Sequence, residues 1–199
     1  MSIRHASLLY PTDEMTAGIS KELAKHFTTY KSLKLISRSD IVSKAVFLRR
    51  QIFIKKKSTG IITAGLAIDG SKQPRESYDE TYAGTSDTTN RAFILQVYLA
   101  DAAHRQCLQD LTIGDFNFPG AFLHNKLTRA MSNGHQLIAT LPSDLPLPLA
   151  GRLAEITGYC HGIKQANHEY DKDLPLLLTN AGFFPTASDH LLLLQTLPY

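Results

Sequence analysis

The 199-residue chain carries 21 Lys and Arg against 18 Asp and Glu, a formal charge of +3, and is 43% hydrophobic and 20% charged. That composition excludes a disordered or fibrous chain, and the charge balance is too mild to identify a nucleic-acid partner while leaving room for a local basic patch. Two cysteines, Cys107 and Cys160, are too few for a disulfide scaffold, and no window approaches the roughly 20 apolar residues of a membrane span.

Leu8-Leu9-Tyr10 is a short apolar run stopped by Pro11, unlike a secretory core. The expectation is a soluble intracellular protein, cytoplasmic or nuclear, with no signal peptide and no membrane partner. Ile19, Leu23 and Phe27 lie four apart with Lys21, Glu22 and Lys25 between them, which predicts a helix over 13–30. Val46–Lys57 and Ile61–Ile68 are β-rich runs flanking Ser58-Thr-Gly60, the pattern of a hairpin. Lys55, Lys56 and Lys57 sit at its tip, beyond Arg49 and Arg50, and no acidic residue occurs from Val42 to Ile68. A charge run of this kind is either a solvated hairpin end or a grip for phosphates.

Residues 69–89 are loop-rich. Asn90–His104 predicts a helix capped by Thr89 or Asn90, with Phe93, Ile94, Val97 and Ala100 or Asp101 on one face. Leu111-Thr-Ile113 then predicts a strand that runs into D115-F-N-F-P-G-A-F-L-H124. Asp, Asn, Pro and Gly are ordinary strand-to-helix turn chemistry, so Asp115 or Asn117 would cap the next helix; polar groups at a strand end can equally hold a metal or a phosphate. After the Pro-rich stretch Leu141–Leu149, a helical region is expected from near His161 to Asn180, with Gly182 as its terminating glycine. Pro175 inside it should cost about 3 kcal/mol or force a kink. His190–Gln195 reads as a buried strand. His104-x-x-Cys107 and Cys160-His161 make a poor zinc set, because adjacent residues cannot form a well-spaced pair.

Four segments, in order, resemble the reverse transcriptase domain of copia-type LTR retrotransposons. Y78-D-E-T-Y-A83 is similar to the family's YDETFAP segment. D115-F-N-F-P-G-A-F-L-H-N125 resembles its catalytic strand-turn (D)VKxAFLxG, and G162-I-K-Q-A166 followed by N167-H-E-Y170 resembles YGLKQAPRxW. T179-N-A-G-F-F-P-T-A-S-D-H190 follows its SLGFxxSxxDP pattern. The match covers roughly residues 40–190. It implies an α+β chain with a right-hand polymerase (reverse-transcriptase-like) architecture: fingers and a partial palm, an antiparallel sheet, and helices packed on one face. A single partial domain over 1–199 would be fingers-like at about 40–95 and 127–155 and palm-like at about 96–126 and 156–199. The implied partners are an RNA template, a DNA primer and the remainder of the polyprotein. The implied cofactor is Mg²⁺, because nucleotidyl transfer uses two ions about 4 Å apart on oxygen ligands.

The chain departs from the family at named positions. Counting back from Ala121-Phe122, Asn117 stands where the family has its first catalytic, metal-binding aspartate; its amide oxygen is neutral and binds Mg²⁺ more weakly. Asp115 lies one pleat earlier, about 6.5–7 Å along a regular strand. No Tyr-x-Asp-Asp occurs in the 199 residues, and Thr63, Gly65 and Asp69 replace basic residues of the family's KARLVAKG segment. Phe122 matches the aromatic residue under the nucleotide sugar, Lys164 and Gln165 match the segment near the nascent base pair, and Arg91 matches a nucleic-acid-contacting arginine at a helix start. Asn117 and Gln165 are expected to face one cleft. The leading expectation is therefore a reverse transcriptase fragment that is inactive as it stands and holds no metal tightly. Two others stand beside it: an active polymerase truncated by the gene model, and a non-catalytic nucleic-acid-binding module.

Overall fold

The computed structural model describes residues 3–83, 88–106, 120–143, 145, 148–185 and 193–194. The chain divides into two compact units, one of residues 1–81 and 120–167 and one of residues 82–119 and 168–199. Residues 156–167 group with the first unit.

The first unit is α+β. It opens with a single turn, α1 (Ile3–Ala6), and a helix, α2 (Thr12–Ala24), which continues as a π turn over Lys25–Thr29. The four-residue spacing explains α2: Met15, Ile19 and Leu23 form one buried stripe. Five strands follow: β1 (Leu33–Ile36), β2 (Ala45–Lys56), β3 (Ile62–Asp69), β4 (Gln136–Thr140) and β5 (Leu153–Ile156). They form one sheet in the order β1-β5-β4-β2-β3. The expected antiparallel sheet is in fact mixed, because the start of β2 runs parallel to β4, Ala45 beside Gln136 through Leu48 beside Ala139. The other pairs are antiparallel.

The hairpin is where the sequence places it. Its alternation is strict: Leu48, Ile52 and Ile54 of β2 and Ile62, Leu66 and Ile68 of β3 are buried with the α2 stripe in one apolar cluster. The free edge of β3 is covered at two positions. The Leu66 N–H donates to Glu22 Oε1 of α2 at 3.0 Å, and the Ile68 N–H donates to the His161 carbonyl at 2.7 Å. These bonds satisfy donors that an open edge would offer to another chain.

The turn around His161 approaches the end of β3 closely. Gly162 has φ +93°, and a Cβ on it would land on the Ile68 carbonyl oxygen; a Cβ on Gly70 would land on the Gly162 carbonyl oxygen. The two glycines let the end of β3 and the 160–165 turn pass each other backbone to backbone. Because Gly162 is left-handed, the expected helix cannot begin near His161. It begins at Ala166 and runs as α4 (Ala166–Asn180), with Pro175 inside it.

In the second unit, α3 (Thr88–His104) starts before the expected caps, so Thr89 and Asn90 lie in its first turn. Its predicted apolar face is largely uncovered, with Phe93 and Val97 exposed. Gly182 ends α4 as expected, with φ +88° and the Phe183 N–H bonded to the Leu178 carbonyl. Two short strands pair antiparallel, β6 (Phe184–Pro185) and β7 (Leu193–Leu194), and the rest of the predicted final strand lies outside the described residues. Among the described residues, no helix is long and apolar enough to cross a membrane.

Candidate nucleic-acid interface

The period of two that buries one face of the hairpin turns the other outward. Phe47, Arg49, Gln51, Phe53 and Lys55 are all exposed on β2. Their neighbours across the hairpin are small or short: Asp69 beside Arg49, Ala67 beside Gln51, Gly65 beside Phe53 and Thr63 beside Lys55. Lys57 continues the same face into the turn, where its N–H bonds the Ile61 carbonyl. Lys56 points the other way, in register with Ile62, yet at the tip it too is exposed. Arg50 belongs to the inward face and is half-buried, so the positive charge expected at Arg49 and Arg50 together divides between two faces.

Lys55, Lys56 and Lys57 have no ion-pair partner among the described residues. The carboxylate on this face is Asp69. Its side chain accepts the Ser71 N–H at 3.0 Å, and hydrogen bonding from Ser71, with Lys72 and Arg49 nearby, holds its carboxyl below the usual range. Beside it lies a shallow depression of about 300 Å³, lined by Gln51, Ala67, Asp69, Ser71, Gly162 and Lys164. Lys164 is exposed there, so the structure brings one residue of the predicted nucleotide-binding set onto the basic face of the hairpin.

Gln165, its neighbour, is not on that face. It is 3% exposed, and its Oε1 accepts from Gln73 Nε2 at 2.9 Å. Gln73 Oε1 in turn accepts the Lys164 N–H at 3.1 Å. One glutamine side chain thus pins the 160–165 turn. Phe122 is half-buried on a 3-10 turn, Ala121–His124, and packs edge-on against the His161 ring at 5.1 Å. Arg91 lies in the first turn of α3, with its side chain outside the described residues. Asp115 and Asn117 also lie outside them, as does the expected pairing of Asn117 with Gln165 in one cleft. The first metal-ligand position that the resemblance implies therefore falls there too. Among the described residues, no group of three His, Cys, Asp or Glu is placed to hold a metal.

A second polar cluster is one that sequence reading missed. His26 Nδ1 lies 2.8 Å from Ser32 Oγ and 3.8 Å from Cys160 Sγ, and on its other side His26 Nε2 approaches Glu22 Oε1 at 3.7 Å, a near contact rather than a hydrogen bond. Acid, imidazole and hydroxyl or thiol in this order resemble a nucleophilic triad. Burial argues against that use. His26, Ser32 and Cys160 are each at most 1% exposed, and burial pushes the Cys160 thiol up to about 12, which keeps it neutral and unreactive. The cluster joins the end of α2, the start of β1 and the 158–163 turn, and its role there is to hold them together.

The exposed aromatics Phe47 and Phe53 were also missed. Strand parity applied to V46-F-L-R-R-Q-I-F-I-K-K-K57 would have found them, because every second residue from Phe47 to Lys57 is aromatic, basic or an amide. Comparison of the chain with protein-family models, with curated proteins and with solved structures found no match.

Proposed function

We propose that the chain is a reverse-transcriptase-like fragment of a copia-type retrotransposon polyprotein, which binds nucleic acid through the outward face of its β2–β3 hairpin and does not itself polymerise. The family reading rests on the four ordered segments at residues 78–83, 115–125, 162–170 and 179–190. The observation that carries the binding role is the basic face: Arg49, Lys55 and Lys57 along one side of the hairpin, with Lys164 at the adjoining depression and Asp69 the acid among them. Phosphates are the complement of such a face, and each contact releases counterions. The partners in this reading are an RNA template paired with a DNA primer, in the cytoplasm or nucleus, together with other parts of the polyprotein. Polymerisation is not expected of these 199 residues, since Asn117 replaces a carboxylate and no Tyr-x-Asp-Asp is present. Mg²⁺ is the family's cofactor, and no tight binding is expected here.

Two outcomes test this. Affinity for an RNA–DNA hybrid should fall by about 0.7–0.9 log units per phosphate contact for each tenfold rise in salt. Replacing Lys55, Lys56 and Lys57 with Gln should weaken binding and flatten that slope, with little change in stability because exposed charges contribute little to it. An unchanged slope would reduce the lysines to a solvated hairpin end. In a primer-extension assay with Mg²⁺ or Mn²⁺ the pure chain should add no nucleotides. Extension that disappears on Asp115→Asn would instead identify an active polymerase.

A further inference from the structure

We propose that the outward hairpin face is a stacking platform for single-stranded nucleic acid, with Phe47 and Phe53 as the surfaces that take bases and Arg49, Lys55 and Lys57 as the contacts to the backbone. The inference rests on the nucleic-acid reading above and narrows it from paired to unpaired strands.

Phe47 is 53% exposed and Phe53 45% exposed, on the same side of one strand. Single exposed apolar residues are ordinary. The surroundings of Phe53 are not, whereas Phe47 stands in register with the buried Ile138 of β4. In most sheets an aromatic residue is covered by the side chain directly across from it. Across from Phe53 stands Gly65, which has no side chain, and the next outward positions on β3 are Thr63 and Ala67. The floor beside the ring is therefore low and open.

The spacing also fits a strand of bases. Six residues of extended chain separate the two rings by roughly 20 Å, room for a few nucleotides. Arg49 and Gln51 lie between them, and Lys55 and Lys57 extend the basic track to the hairpin tip. Alternating cations and flat apolar rings are the combination that grips unpaired strands without reading sequence, since every base has a π-face. A duplex stacks its bases on one another and leaves few of them for Phe47 or Phe53. A second copy of this chain is the other natural occupant of an apolar face, but two-fold pairing would set the same cations against one another.

The test uses the whole 199-residue chain and labelled oligo-dT, oligo-U and an RNA–DNA hybrid of equal length, read by fluorescence anisotropy. The double variant Phe47→Leu, Phe53→Leu keeps apolar bulk and removes the rings. Its affinity for the two single strands should fall roughly ten- to hundred-fold, with the salt slope retained and hybrid binding changed by less than about twofold. The variant Phe47→Tyr, Phe53→Tyr should keep wild-type affinity, which separates ring loss from misfolding. Unchanged single-strand affinity in the Leu variant, with the lysine dependence intact, would overturn the platform and leave the nucleic-acid reading standing. A wild-type chain that binds none of the three probes would overturn both. Self-association that the Leu variant abolishes, with nucleic-acid binding untouched, would assign the face to a second copy and overturn the platform.

Discussion

Gly162→Ala should cost the first unit more than about 3 kcal/mol of stability, enough to lower its melting temperature by roughly 6–12 °C. Two penalties combine. At φ +93° any residue with a Cβ sits in the left-handed region, at about 1–2 kcal/mol. The added Cβ would also overlap the Ile68 carbonyl oxygen, and backbone on both sides leaves no flexible side chain to yield. Gly60 makes the natural comparison. It too is left-handed, at φ +85°, but nothing lies within 4 Å of the Cβ it would gain. Gly60→Ala should therefore show the conformational penalty alone, about 1–2 kcal/mol. Urea denaturation of both variants measures the difference, and equal midpoints would mean that the β3 end and the 160–165 turn do not interlock.

Acid should weaken the same unit through Glu22. Burial pushes its carboxyl up, but the His26 imidazole, Lys25 and the Leu66 N–H together outweigh burial and hold it at about 2, down from an ordinary 4.5. The Lys25 contact is short, at 2.6 Å, and 12% of the Glu22 side chain is exposed. A carboxyl depressed in the folded state stabilises the fold fully above its unfolded value. That contribution is lost as pH falls from about 4.5 to about 2. The shift corresponds to about 3 kcal/mol, and partial contact with water reduces this to about 2 kcal/mol. Glu22→Gln should be less stable than the wild type at pH 7 by that amount, and the two should converge by pH 2. A gap that stays constant over this range would show that the charge on Glu22 contributes nothing.

Much of the first unit could be read from the sequence, and the limits of that reading are physical. Helix α2 declares itself because Ile19 and Leu23 recur at the helical period beside charged residues. The hairpin does so because Ser58-Thr-Gly60 separates two β-rich runs. Strands β1, β4 and β5 escaped notice. They are four or five residues long, and β4 is buried at four consecutive positions, so it shows no alternation of polar and apolar residues. Helix α4 starts later than its sequence suggests because nothing local in G162-I-K-Q-A166 states that Gly162 is left-handed; the close approach to Ile68 does that. At the candidate interface the lysine run was visible as composition. Which lysine shares a face with which aromatic residue became visible only with the register, and it separates Lys56 and Arg50 from the rest. The part of the family resemblance that concerns catalysis, Asp115 and Asn117, lies outside the described residues.

The sheet joins neighbours that the chain keeps far apart, with Leu33 beside Ile156 and Ala45 beside Gln136. Closing such long loops costs entropy before any contact repays it, and that slows the search for the native arrangement. The α2–hairpin segment is different, because α2 packs on β3 and β2 pairs with β3 within the first 70 residues. It can assemble early during synthesis and then wait for β4 and β5. Until they arrive, the β4-facing side of β2 from Ala45 to Leu48 is an unpaired edge, and there a nascent chain is most open to the wrong strand.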